Sequence, residues 1–125
     1  MRRLCELDGG SAHAWYNYGY LLNECGHISL AEEMFKNALD LAPKLDLAWY
    51  GLSLVHIRQK RFDEAVETLK KNTELQPMSP YGWYQLARVH MDRREPDEAR
   101  KVIAHLRGFE PKVADQLVRE TGLVA

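Results

Sequence analysis

The chain has 125 residues, of which 46% are hydrophobic, with 17 Lys and Arg against 18 Asp and Glu. This length fits a single domain, and the apolar content is enough for a continuous core. Residues 1–62 carry seven charges of each sign, so neither half has the basic excess that binding to a phosphate backbone requires. We therefore predict no nucleic-acid partner.

The N-terminal sequence argues against a signal peptide. Two arginines near the start are not followed by a run of about 7–15 apolar residues. No stretch is long enough to cross a bilayer, so no membrane contact is predicted. Cys5 and Cys25 fit a reducing compartment, because a chain of this length does not need disulfides. We expect a cytoplasmic protein, with export left open if the chain is part of a longer one.

A period of 34 residues runs through the sequence. Trp15, Trp49 and Trp83 are the only tryptophans, and a tyrosine follows each of them. Sixteen residues after each tryptophan comes an alanine, and a proline follows later at the same spacing. The repeated positions are Ala31, Ala65 and Ala99, then Pro43, Pro77 and Pro111.

The first copy predicts two helices. Ser11 is a plausible N-cap, and apolar residues recur at helical spacing from Ala14 to a stop at Gly26. Ser29 and Glu32 have the spacing of a capping box, which predicts the start of a second helix that Pro43 ends.

The later copies follow the same order. The second predicts helices from Asp46 to about Gln59 and from the cap Asp63 to Leu75. The third predicts a helix that has Pro80 as its first residue and ends near Arg93, then one that opens at residues 95–97 and runs to Phe109. A last helix, residues 112–121, stops at Gly122.

This pattern resembles the tetratricopeptide repeat (TPR), a helix–turn–helix unit of 34 residues with a W-x2-L-G-x2-Y…A-x3-F…P signature. The match covers residues 12–113. It divides the chain into a partial repeat or capping helix (1–11), three repeats (12–45, 46–79 and 80–113) and a C-terminal solvating helix (114–125). Substitutions occur at packing positions: Phe35 keeps the signature aromatic, whereas Leu69 and Ile103 replace it.

The resemblance implies an all-α fold, a right-handed superhelix (α-solenoid) of antiparallel helix pairs, and a concave groove lined by the first helix of each repeat. It also implies a non-catalytic scaffold that binds a peptide or helix in that groove. The predicted groove residues are His13, Tyr16, Tyr20, Leu47, Tyr50, Leu54, Ile57, Arg58, Tyr81, Tyr84, Arg88 and Met91.

Two features of these residues favour binding. Four of them are apolar where a solvated helix face would be polar: Leu47, Leu54, Ile57 and Met91. Arg58 and Arg88 are placed to orient a ligand. The tyrosines that follow each tryptophan are common in the family and have an alternative role in the scaffold. A different hypothesis is a self-assembling structural module that stacks through its terminal half-repeats. Whether the ligand is extended or helical stays open.

One TPR subgroup grips acidic chaperone tails with a carboxylate clamp of Lys, Asn and Arg. None of the five matching positions has the required residue: they are Tyr16, Tyr20, Gly51, Tyr81 and Gln85. The resemblance therefore disfavours that kind of partner. Arg88, one turn from Gln85, keeps one possible anion contact.

No catalytic residue, metal ligand or cofactor is predicted. Cys25 and His27 make one ligand pair, whereas zinc sites normally need two. Cys25 also ends a helix, where the helix dipole does not favour a thiolate. His56 and His90 occupy the position of the family tyrosine, so we interpret them as packing residues.

Overall fold

The computed structural model describes residues 11–123, which form seven α-helices and no strand. They are α1 (Ala12–Glu24), α2 (Ile28–Leu41), α3 (Asp46–Arg58), α4 (Phe62–Leu75), α5 (Pro80–Asp92), α6 (Pro96–Arg107) and α7 (Pro111–Thr121). The all-α class is confirmed. Within this range no helix combines the length and apolar character needed to span a membrane. The partial repeat predicted for residues 1–11 lies outside the described residues, apart from Ser11.

Helix starts were predicted with mixed success. Ser11 does cap α1, because its hydroxyl accepts a hydrogen bond from the Ala14 amide at 3.4 Å. The capping box was wrong: α2 begins at Ile28 after His27, so Ser29 lies inside the first turn. The cap at Asp63 was also wrong, because α4 begins one residue earlier.

Proline marks three of the remaining starts. The first residue of α5, α6 and α7 is a proline in each case, where its missing N–H has no helical partner to lose. The second helix of the third repeat ends at Arg107, two residues before the predicted Phe109. The last helix ends as predicted at Gly122, which adopts a left-handed conformation with φ of 74°.

The chain divides into two compact units, one up to Arg61 and one from Phe62 onward. In the first unit α2 packs against α1 and α3, around a core that contains Phe35 and Ala31 at 0% exposure. In the second unit α5 packs against α4 and α6, and α7 packs against α5 and α6. Ala65 and Ala99 are also fully buried, as expected for the position that lets two helices approach closely.

The tryptophans differ in their burial. Trp15 is buried, whereas Trp49 and Trp83 are only partly buried. The Trp49 indole N–H donates to the Pro43 carbonyl at 2.8 Å, and that of Trp83 donates to Pro77 at 2.9 Å. Each bond ties a first helix to the loop before it.

The short turns within each repeat share one backbone conformation. Gly26, Lys60 and Arg94 lie 34 residues apart, and all three have positive φ, of 87°, 58° and 60°. The amide of each following residue donates to the carbonyl five residues before it at 2.8 Å, which satisfies an orphan carbonyl of the helix end.

Candidate peptide-binding surface

An aromatic pair occupies the predicted binding face of α1. The rings of Tyr16 and Tyr20 lie 6.4 Å apart, and Tyr16 also lies 5.9 Å from Phe35. Burial raises the pKa of the Tyr16 hydroxyl, and the charges of Tyr20, Asp46 and Tyr50 raise it further. Tyr16 is partly buried and Tyr20 is exposed, so the pair reaches the surface of α1.

Two glycines make room for the Phe35 ring beneath this pair. A Cβ added at Gly51 would lie 2.6 Å from the ring, and one added at Gly19 would lie 2.9 Å from it. Because real Cβ atoms do not approach so closely, the ring fills the space that the two glycines leave. Gly51, one of the failed clamp positions, therefore has a packing role.

The apolar residues predicted on α3 are accessible to different degrees. Leu47 is 42% exposed, whereas Leu54 and Ile57 are partly buried. On α1, His13 is exposed. The exposure of Leu47 is the feature that a solvated scaffold helix does not require.

Arg58 makes hydrogen bonds within its own unit. Its guanidinium donates to the Asn23 carbonyl at 2.7 Å and reaches the Asn23 side-chain oxygen at 3.4 Å. Asn23 is buried near the end of α1, where carbonyls lack helical partners. The Arg58 side chain therefore ties α3 to α1, a contact that the sequence did not indicate. Its role in orienting a ligand stays a prediction.

In the second unit the predicted residues lie on α5. Tyr81 is 69% exposed, and Met91 is partly buried. Tyr81 and Tyr84 line a small cleft of about 230 Å³ together with Pro80 and the α7 side chains Val113 and Gln116. The terminal helix is thus part of this surface, which the sequence pattern did not indicate.

A carboxylate from α7 joins the two predicted polar residues of α5. Glu120 accepts hydrogen bonds from the Tyr84 hydroxyl at 2.5 Å and from the Arg88 guanidinium at 2.6 Å. Arg88 also reaches the Tyr84 oxygen at 3.1 Å, and its charge lies 5.9 Å from the centre of the Tyr84 ring. The other Glu120 oxygen accepts from Gln116 at 2.9 Å.

Electrostatics agree with this arrangement. The hydrogen bond from Tyr84 is the main reason that the pKa of the Glu120 carboxyl lies below its usual value. The same bond raises the pKa of the Tyr84 hydroxyl. Both shifts favour a proton on the tyrosine and a charge on the glutamate. Sequence reasoning picked out Arg88 as a possible anion contact but did not identify Glu120.

A larger cleft of about 680 Å³ lies among α4, α5 and α6 of the second unit. Its lining includes Trp83, Leu86 and Val102, with charged residues at its edge. The ring of His105, which looked isolated in the sequence, lies 4.4 Å from that of Trp83. The sequence analysis did not predict this cleft, because two of its three helices are second helices of a repeat, which the resemblance does not place in the groove.

The two repeated histidines are buried, as predicted for packing residues. His56 is 3% and His90 is 5% exposed. Each lies near a carboxylate: His56 Nε2 is 3.7 Å from Glu32, and His90 Nδ1 is 3.1 Å from Glu95. Glu32 also pairs with Lys36, four residues later on α2, at 3.1 Å, and its side chain is largely buried.

Residues 26–83 match the family model described as "Tetratricopeptide repeat". A similar curated protein is the "Cell division cycle protein 27 homolog" of Caenorhabditis elegans, 36% identical over 61 residues. That alignment covers 49% of this chain and only 8% of the relative.

Solved structures resemble nearly the whole chain. A structure of MamA has a TM-score of 0.81 at 20% identity, covering 99% of this chain and 65% of that one. A structure of YrrB, described as a TPR protein with an unusual peptide-binding site, has a TM-score of 0.80 at 17% identity, covering 97% and 66%. The chain thus spans about two thirds of these structures, and at such identities the likeness shows the fold alone.

Proposed function

Because the chain belongs to the tetratricopeptide repeat family, we propose that it is a non-catalytic scaffold that binds a peptide or helix on the exposed faces of its first helices, α1, α3 and α5. One observation carries this proposal. A large aromatic or aliphatic side chain from the predicted binding set is strongly exposed on each of these helices: Tyr20 at 47%, Leu47 at 42% and Tyr81 at 69%.

The chemistry of these side chains favours a protein ligand. Tyrosine offers a broad apolar ring with a hydroxyl that can still bond to water or to a peptide, and it is enriched at protein interfaces. Leu47 lies on α3, which contacts α1, and its exposed side chain offers an aliphatic contact. The reported peptide-binding site of YrrB supports the same kind of ligand. We expect a partner anchored by apolar side chains in a cytoplasmic setting.

The test is a selection of peptides followed by a measured affinity. A phage-displayed library of random peptides is panned on the purified chain, and an enriched peptide is titrated by fluorescence anisotropy. Leu47→Ser is expected to weaken binding at least tenfold, because it removes an exposed apolar contact without opening the core.

The matched control is Leu41→Ser, the same substitution at an exposed leucine of α2 in the same unit, which is 54% exposed. This variant should bind the peptide as the wild type does. Equal affinity in both variants would move the binding surface away from α3. Failure to enrich any peptide would remove the proposed function.

A further inference from the structure

We propose that Tyr84 and Arg88 form a binding site for a ligand carboxylate, which Glu120 of the terminal helix occupies until an acidic peptide displaces it. This inference rests on the proposed function, since it names the chemistry of the peptide that the α5 surface binds. The ligand is a peptide that carries a side-chain or C-terminal carboxylate beside an apolar residue.

The geometry is that of a built carboxylate receptor. A hydroxyl and a guanidinium converge on one oxygen of Glu120, at 2.5 Å and 2.6 Å. The two donors also bond to each other at 3.1 Å, and Arg88 packs over the Tyr84 ring. Bonds between a charged donor and a carboxylate are among the stronger hydrogen bonds, and donors already in place lose little freedom when a ligand binds.

The neighbouring cleft indicates what lies next to the carboxylate in a ligand. It shares Tyr84 with the receptor and is otherwise lined by Pro80, Tyr81 and Val113, with Gln116 at its polar side. Its volume of about 230 Å³ suits a single aliphatic side chain. An acidic residue preceded by leucine therefore matches both parts of the surface.

Glu120 is separable from the packing of α7. The helix is anchored by Ala114 and Leu117, both 0% exposed, and by an ion pair at 2.8 Å between Arg107 and Asp115. Glu120 itself is a partly exposed side chain near the end of the helix. Its exchange for a ligand carboxylate consequently leaves the apolar contacts of α7 in place.

The experiment uses the full chain and three probes: N-acetyl-Leu-Glu amide, its neutral N-acetyl-Leu-Gln amide counterpart, and N-acetyl-Leu-Gln with a free C-terminal carboxylate. Each is titrated into ¹⁵N-labelled protein, and the shifts of the Tyr84 and Val113 backbone amides, which are present in every variant, give the affinity. In Glu120→Gln we expect at least fivefold tighter binding of an anionic probe than in the wild type, because the internal competitor is neutral. The neutral probe should not discriminate between the two proteins.

Asp97→Asn is the matched control, since it neutralises an exposed carboxylate of α6 that is ion-paired with Arg100 at 2.7 Å. It should bind the probes as the wild type does. Equal gains in this variant, equal gains with the neutral probe, or no gain in Glu120→Gln would overturn the proposal. Comparison of the two anionic probes tells a side-chain carboxylate from a terminal one.

Arg88→Gln provides a second test that does not alter α7. This exposed substitution should abolish the preference of the wild type for anionic over neutral probes, and a retained preference would overturn the proposal. The proposed function can fail separately, because its test measures the peptide affinity of Leu47→Ser, a variant of the first unit. Unchanged peptide binding in Leu47→Ser, together with the gain in Glu120→Gln, would leave a carboxylate site without a peptide surface on α3.

Discussion

At the scale of single residues, the turn within each repeat requires a residue with positive φ, and the chain meets this requirement in two ways. Gly26 has no Cβ and adopts positive φ at little cost, whereas Lys60 and Arg94 adopt the same conformation with a side chain. An L-residue in this region costs roughly 1–2 kcal/mol. The later two turns therefore carry strain that the first does not.

The first prediction follows from this difference. Lys60→Gly should stabilise the protein by about 0.5–1 kcal/mol, because relief of strain exceeds the added freedom of glycine in the unfolded chain. Gly26→Ala should destabilise it by about 1 kcal/mol for the converse reason. Urea denaturation measures both changes.

Gln59→Gly is the control for this pair, since its φ of −91° gains nothing from glycine. It should lower the free energy of unfolding through the added freedom of the unfolded chain. A stabilisation by Gln59→Gly equal to that of Lys60→Gly would contradict the assignment of strain to residue 60.

A second prediction concerns the glycines that face Phe35. Helix propensity alone would make Gly51→Ala stabilising by about 1 kcal/mol. The new Cβ would lie 2.6 Å from two atoms of the ring, so we expect a net loss of about 1–3 kcal/mol, measured by thermal and urea unfolding. Phe35→Leu in the same background should recover part of that loss, because leucine occupies the equivalent position at Leu69. Additive losses in the double variant would argue against the clash.

At the scale of elements, Glu32 links α2 to its surroundings by charge. Arg61 donates to one of its oxygens at 2.9 Å, and this bond is the main reason that the carboxyl pKa lies below its usual value. A carboxyl with a lowered folded pKa stabilises the protein above its unfolded pKa, and the contribution is lost as pH falls through the folded value.

The third prediction is therefore that Glu32→Gln lowers the free energy of unfolding by about 1–2 kcal/mol at pH 7. The difference between this variant and the wild type should shrink below about pH 4.5, where the carboxyl begins to bind protons in the unfolded state. Glu33→Gln, at an exposed position on the same helix, is the control and should change little at either pH. A pH-independent difference would indicate that shape rather than charge is responsible.

Periodicity predicted the elements well because it reports which faces are buried. Every helix end that was predicted from a proline or a glycine lay close to the observed end, because these residues end a helix through their own backbone. The helix starts predicted from the caps Ser29 and Asp63 were wrong. The packing of neighbouring helices, and not the capping side chain alone, decides where a helix begins. The bond from Arg58 to Asn23 was not predicted, because the two residues lie 35 positions apart in the sequence. Tyr20, Leu47 and Tyr81 are exposed, which a place in the groove requires, and their role in binding stays a prediction.

At the scale of the whole molecule, the alternative function is assembly through the terminal half-repeats. A repeat buries its apolar face only by stacking on a neighbour, so a half-repeat at a chain end could stack on another copy. Its sequence evidence is the match of Leu7 to Leu41 and Leu75 at 34-residue spacing.

The fourth prediction separates this alternative from a monomeric scaffold. If the half-repeat of residues 1–11 mediates assembly, the molar mass from light scattering rises between micromolar and millimolar concentrations. A chain that starts at Ser11 should then remain at the mass of one chain. This truncation is a fair comparison because Ser11 and its cap on Ala14 are kept, so α1 retains its own start. A full chain of constant mass would rule assembly out and leave the exposed side chains of α1, α3 and α5 for a different protein.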